Sequence, residues 1–171
     1  AEVAERERAE QLERVTEFQG NQLSAIDPQA MGLSLRDGLR SRLEGLFDGQ
    51  EGGAERVAAA LSEYDQMVAG ADFTGLALDS LREQVLEPTL QAIDQELMDV
   101  PLVRAQLLQS IAVTAKELGL LEFANTPQRT ALELRREELG DGHRLTLESI
   151  SSLGVLLEDR GEFDEADSYL R

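Results

Sequence analysis

The sequence predicts an all-α chain of antiparallel helical hairpins stacked one on the next. Three observations carry that prediction. The apolar residues are mostly Leu and Ala, aromatics make up only 4% and Trp is absent, a composition that favours helix over sheet. No window alternates Val, Ile and Thr with polar residues as a strand would. The C-terminal part also repeats itself. Leu118-Gly119-Leu-Leu-Glu-Phe-Ala124 aligns with Arg160-Gly161-Glu-Phe-Asp-Glu-Ala166 at an offset of 42 residues, the kind of period that stacked helical pairs show.

The elements follow in order along the chain. Ala1 to Ile26 reads as one long helix, charged in its first half. Its second half places Leu12, Val15, Phe18, Leu23 and Ile26 near a 3.5-residue spacing. Two readings stand for it: a coiled-coil stalk, or a helix packing its second half on the domain. Asp27-Pro28 ends it and opens the next, with Asp as N-cap and Pro at the first helical position. Gln29 to Phe47 carries Met31, Leu33, Leu35, Leu39, Leu43 and Leu46, mostly at i, i+4. The stretch from Asp48 to Gly53 reads as a plain loop, lacking both the Gly-Lys-Ser/Thr of a phosphate loop and calcium-loop spacing. Ala54 to Val68 is amphipathic through Val57, Leu61, Tyr64 and Val68. Asp72 caps a helix through Leu76, Leu78, Leu81 and Val85, which Pro88 is expected to break or kink at Glu87. Thr89 to Met98 continues, and Pro101 opens the next helix. Three stretches result: 1–27, a charged helix; 28–100, helical pairs that depart from the repeat; and 101–171, one full and one truncated repeat.

Charge narrows the function classes. With 34 acids against 16 bases the formal charge is −18, which repels nucleic acid and anionic membrane surfaces and favours either solubility or a basic protein or peptide partner. There is no Cys, so thiolate chemistry and Cys-bound metal are excluded. No apolar run approaches the roughly 18 residues that a membrane helix needs, and no cofactor is expected. The chain starts without Met and stops inside a helical pattern at Arg171, as an excised fragment would.

The repeat positions have a packing logic. Leu108, Ile111, Ala112 and Val113 fall over Ile150, Leu153, Gly154 and Val155 at the same offset. Ile111 and Leu153 point into the helix pair. Ala112 and Gly154 are small because the paired helix crosses close there, with Ala124 and Ala166 facing them. Gly119 and Gly161 supply a left-handed turn between helices. This apolar, small, turn, small pattern resembles a tetratricopeptide repeat over residues 100 to 171. Leu139-Gly140, His143 and Thr146-Leu147 resemble the joint of kinesin-light-chain-like repeats. Arg144 replaces the usual Pro there, and Pro127 and Gln128 also depart from the pattern, which implies a degenerate first repeat. Asp72-Phe-Thr74, Leu86 to Asp94 and Pro101 to Gln109 further resemble the segment preceding such repeats in large bacterial serine/threonine protein kinases. That resemblance implies the sensor or docking region of such a kinase, cytoplasmic or extracytoplasmic. The alternative is a free-standing structural helical-repeat protein with no peptide groove.

No catalytic motif is present. Asp72-Phe73-Thr74-Gly75 is only superficially like a magnesium-binding Asp-Phe-Gly, and His143-Arg144 is followed by Leu145, so no catalytic loop is formed. Lys116, the single lysine, lies inside a repeat helix. His143, the single histidine, is expected to cap or pack the following helix. Paired acids such as Glu137-Glu138 and Glu158-Asp159 read as solvated helix faces.

The resemblance implies where a ligand would sit. First helices of successive repeats line a concave groove, which places Gln109, Ser110, Val113 and Lys116 on it in the first repeat. Ser151, Ser152, Val155 and Glu158 follow in the second. Polar side chains at the leading positions would hydrogen-bond an extended peptide, while a single lysine is too little for a carboxylate clamp. The truncated repeat implies that Leu153, Leu156, Leu157, Tyr169 and Leu170 are partly exposed, which would drive self-association through the C-terminal end.

Overall fold

The computed structural model describes residues 26–46 and 53–170. Among these residues every regular element is helical. In chain order they are α1 (Pro28–Gly45), α2 (Gly53–Val68), α3 (Phe73–Leu81), a π-helical turn (Arg82–Leu86), α4 (Glu87–Glu96), α5 (Pro101–Glu117), α6 (Leu121–Leu139), α7 (Arg144–Asp159) and α8 (Phe163–Leu170). The fold is an all-α helical-repeat solenoid. The expected N-terminal helix and most of the expected Asp48–Gly53 loop lie outside the described residues.

Caps set the boundaries. Asp27 accepts hydrogen bonds from the amides of Gln29 and Ala30 at 2.9 and 3.0 Å, with Pro28 at the first helical position. Asp72 accepts from the Gly75 amide at 2.8 Å. Pro88 does not end its helix. A π turn, Arg82–Leu86, precedes it and helical backbone resumes at Glu87. A wider turn is a standard way to fit a residue that offers no N–H and crowds the carbonyl four residues back.

The chain divides into two compact units, one spanning Asp27–Arg82 and the other holding the residues from Glu83 onward. In the first unit α1 packs chiefly on α3 and more lightly on α2. Gly32 makes the α1–α3 crossing possible, since a Cβ there would lie 2.7–2.8 Å from backbone atoms of Phe73 and Thr74. Tyr64 is buried and donates its hydroxyl to the Arg36 carbonyl at 2.9 Å. Most of the apolar residues that the spacing of α1 assigns to a core, Leu33, Leu35, Leu39 and Leu46 among them, are instead exposed.

The second unit is built on consecutive antiparallel contacts, α5 with α6, α6 with α7 and α7 with α8. One core joins Leu86 and Ile93 to Ala105, Leu108, Ile111, Ala112, Ala115, Ala124, Ala131 and Leu156. A second joins Leu132, Leu153, Leu157 and Ala166. Both hairpins close in the same way. Gly119 and Gly161 adopt φ of +83° and +79°. Leu120 and Glu162 donate back to Ala115 and Leu157, and the glycine amides to Lys116 and Glu158, all at 2.8–2.9 Å. This is the doubly bonded helix terminus that needs a left-handed residue.

The second core corrects one expectation. Leu153 and Leu157 are 0% exposed, because α6 and α8 close over the inward face of α7, and Leu156, 2% exposed, is buried in the first core with residues of α5 and α6. Leu170 alone of the five named residues is exposed, and Tyr169 is half-buried. Three of the leucines expected to drive self-association are therefore unavailable for it.

Candidate peptide groove

The groove is set by how α5 and α7 lie side by side. α5 opens at Pro101 and α7 behind the His143 cap, and both end at a left-handed glycine, so equivalent residues come into register 42 positions apart. Val113, Lys116, Ser151, Ser152 and Val155, together with Ala112, Glu117, Gln128 and Leu156, line a shallow cavity of ≈ 210 Å³. Val113 and Val155 are the exposed apolar pair on it. Lys116 bridges the two helices through Asp159 at 3.0 Å. Of the remaining residues that the repeat alignment places on this face, Ser110 is half-buried and Glu158 exposed, and neither lines the cavity.

Gln109 is turned partly inward. Its amide oxygen accepts from the buried Arg135 and, at 2.7 Å, from the Ser149 hydroxyl. Its amide nitrogen approaches the Ser152 hydroxyl at 3.5 Å, the long limit of such a bond. Arg135 is 5% exposed and also donates to the Ser149 hydroxyl at 2.7 Å and the Leu145 carbonyl at 3.1 Å. No carboxylate lies within ion-pair distance of it among the described residues. Burial therefore pulls its guanidinium below the usual arginine range, with Glu148 opposing. Gln128, likewise buried, donates to the Ser149 carbonyl at 3.3 Å, and the Thr146 hydroxyl donates to the Arg135 carbonyl at 3.3 Å.

This polar seam under the groove was not read from the sequence. Its one signal was Gln128, standing where a large apolar residue is usual. Arg135 gave no signal, because arginines on a helix surface are common. His143 sits where expected: it caps α7, its Nδ1 accepting from the Leu145 amide at 3.2 Å. Ion pairs tie the outer faces of the hairpins, Arg129 to Glu165 at 2.8 Å and Arg160 to Glu122 at 2.7 Å.

A second concavity, ≈ 460 Å³, lies within the Asp27–Arg82 unit between Arg36, Arg40, Tyr64, Asp65 and Asp72. Arg40 is committed to Asp65 at 2.6 Å there, which raises its pKa. Among the described residues no group of three or more His, Asp or Glu side chains is placed to hold a metal ion, and no helix is long and apolar enough to cross a membrane.

Comparison with known proteins agrees with the geometry over the second hairpin. No curated protein and no solved structure matches the chain. The family model of the tetratricopeptide repeat matches residues 146–171, which begin in α7 two residues after its start and run through α8. What the chain carries there is a tetratricopeptide repeat region.

Proposed function

We propose that this chain is a non-catalytic protein-interaction scaffold and that the face between α5 and α7 binds an extended, basic peptide. Tetratricopeptide repeats suggest a protein-interaction role, and all-helical folds of this type are typically non-catalytic. The observation that carries the groove reading is the cavity itself. It sets an apolar pair, Val113 and Val155, between two serines and the Lys116–Asp159 bridge. An apolar strip rimmed by polar groups suits an extended chain: side-chain contact in the middle and backbone hydrogen bonds at the edge. The chain's charge of −18 and the acids Glu117, Glu158 and Asp159 at the rim favour a cationic sequence.

The test is a titration of ¹⁵N-labelled protein with a short Lys-Ala repeat peptide blocked at both ends. Shifts should cluster at Gln109, Ser110, Val113, Lys116, Ser151, Ser152, Val155 and Glu158. Shifts scattered over both units, or none, end the groove reading. The likeness of residues 72–74, 86–94 and 101–109 to the segment before such repeats supports a finer assignment: the sensor or docking region of a bacterial serine/threonine protein kinase. A parent sequence without a kinase domain ahead of Ala1 removes it.

A further inference from the structure

We infer that Arg135 is a positioning residue that makes the Gln109–Ser152 end of the groove a hydrogen-bond donor site, selecting a peptide carbonyl oxygen there; this rests on the groove reading above. The argument starts from what a guanidinium can do. It only donates, so the atom of the Gln109 amide that faces Arg135 must be the oxygen. Ser149 donates to the same oxygen at 2.7 Å, and its own oxygen receives Arg135. An amide side chain is ordinarily free to turn over. This one is not, because turning it would set its NH₂ against a buried cation.

The consequence reaches the surface. With its oxygen held inward, Gln109 presents N–H groups toward Ser152, at 3.5 Å. Ser152 then acts as an acceptor from behind, and its hydroxyl hydrogen is left to donate elsewhere. Three helical hydroxyls in this chain, those of Ser80, Thr89 and Thr130, donate to the carbonyl one turn back. Ser152 makes no such bond among the described residues, and it lines the cavity. Arg135 holds its charge without a carboxylate partner, so the chain of donors from Arg135 through Gln109 to Ser152 is polarised outward. The groove end therefore offers a hydroxyl donor whose direction Arg135 sets through Gln109. A neutral carbonyl suits it better than a carboxylate, because the chain's overall negative charge opposes an anion.

Gln109→Glu separates this from a packing role. One carboxylate oxygen would still accept from Arg135 and Ser149, now as an ion pair, so Tm should hold or rise. The other oxygen would face Ser152 and draw its hydrogen inward, leaving no donor for a ligand. Affinity for the blocked Lys-Ala peptide should fall about tenfold or more, the scale of one lost hydrogen bond with its partner left unsatisfied. Equal affinity in Gln109→Glu and wild type overturns the inference. Acetate shifting the Gln109 and Ser152 signals more than N-methylacetamide does would overturn the carbonyl preference. If wild type does not bind the peptide, the groove reading fails alone, and a ligand-free readout decides the role of Arg135. The heteronuclear NOE of the Gln109 side-chain amide should be close to backbone values in wild type. It should drop to those of exposed glutamines in Arg135→Met and recover in part in Arg135→Lys. An amide equally rigid in Arg135→Met overturns the positioning role.

Discussion

The Asp27–Arg82 unit and the α5–α8 hairpins use similar residues to opposite effect. Both are Leu-rich helices with glycines near their crossings. In the hairpins the leucines that face the helix crossings, Leu108, Leu132, Leu153, Leu156 and Leu157 among them, are buried, and Leu153 and Leu157 are fully enclosed. Leu33, Leu35 and Leu39 of α1 and Leu46 just beyond it face outward, and among the described residues of the unit the buried apolar side chains are Tyr64, Ala77 and Leu81. The difference lies in small residues placed at matched positions. Ala112, Ala124, Gly154 and Ala166 lie at the crossings of the hairpins, so large neighbours can close over them. In α1 one glycine, Gly32, makes a single close crossing with α3. Apolar periodicity marks which face a helix would bury; only small residues at a crossing bring a second helix near enough to bury it.

The sharpest way to break this comparison is to truncate one leucine in each unit. Leu153→Ala should cost about 2–5 kcal/mol, the range for a fully enclosed leucine. Leu39→Ala, at an exposed position, should cost under about 0.5 kcal/mol. Urea melts followed by circular dichroism check both. A Leu39→Ala loss as large as that of Leu153→Ala would mean that α1 buries the stripe in solution. The chain has no Trp and two tyrosines, Tyr64 and Tyr169, one in each unit. Tyrosine fluorescence of Tyr169→Phe and Tyr64→Phe backgrounds therefore reports the units separately.

The next largest effect belongs to the loosely packed unit. At Gly32 an added Cβ would strike backbone of Phe73 and Thr74, and backbone cannot swing away as a side chain can. Gly32→Ala should cost about 1–3 kcal/mol, the range for overpacking, despite the ~1 kcal/mol of helix propensity that Ala adds. The loss should appear in the Tyr64 signal and leave the Tyr169 signal in place. Gly154→Ala makes the counterpart. Its Cβ would meet Leu170 Cδ2 and Cγ at 2.5 and 2.6 Å, but Leu170 is exposed and its whole side chain can turn about the Cα–Cβ bond. Propensity and displacement should nearly cancel, leaving stability within about 1 kcal/mol of wild type. A melt showing Gly154→Ala as damaging as Gly32→Ala would show that α8 is held more rigidly than the exposure of Leu170 suggests.

These cases show what was legible in the sequence. Gly119, Gly161, Ala124 and Ala166 could be read, because a turn glycine and a crossing alanine each answer to one local demand. The match of the tetratricopeptide repeat to 146–171 falls on the more regular of the two hairpins. The burial of Leu153 and Leu157 could not be read from a repeat count, since it depends on α6 and α8 closing over one helix. The leucines of α1 misled for the converse reason: their spacing fits a core that α2 and α3 do not complete. Val113, Lys116, Ser151, Ser152 and Val155, which the repeat resemblance places on one face, line a common cavity. Gln109 does not, because its orientation is decided by Arg135, 26 residues away on another helix.

The smallest expected effect tests the joint between the hairpins. His143 caps α7 with Nδ1 as acceptor, 3.2 Å from the Leu145 amide, a longer and weaker cap than Asp27 gives α1 with two amides at 2.9–3.0 Å. Both residues are exposed, so the difference rests on the caps and not on burial. Asp27→Ala should cost about 1 kcal/mol and His143→Ala about 0.5 kcal/mol, the middle and low end of the range for caps. The carboxylate at a helix N-terminus also gains from the dipole, which a neutral imidazole does not. The losses should separate by unit, Asp27→Ala in the Tyr64 signal and His143→Ala in the Tyr169 signal. A His143→Ala loss exceeding that of Asp27→Ala would mean that His143 holds more of the joint than one amide, since the turn from Gly140 to His143 carries the chain from α6 into α7. Hydrogen exchange at Leu145 and Thr146 would then locate the extra contribution. Fast exchange at Leu145 alone fits a cap, whereas opening that spreads to the buried Thr146 and its bond to the Arg135 carbonyl would tie the joint to the polar seam beneath the groove.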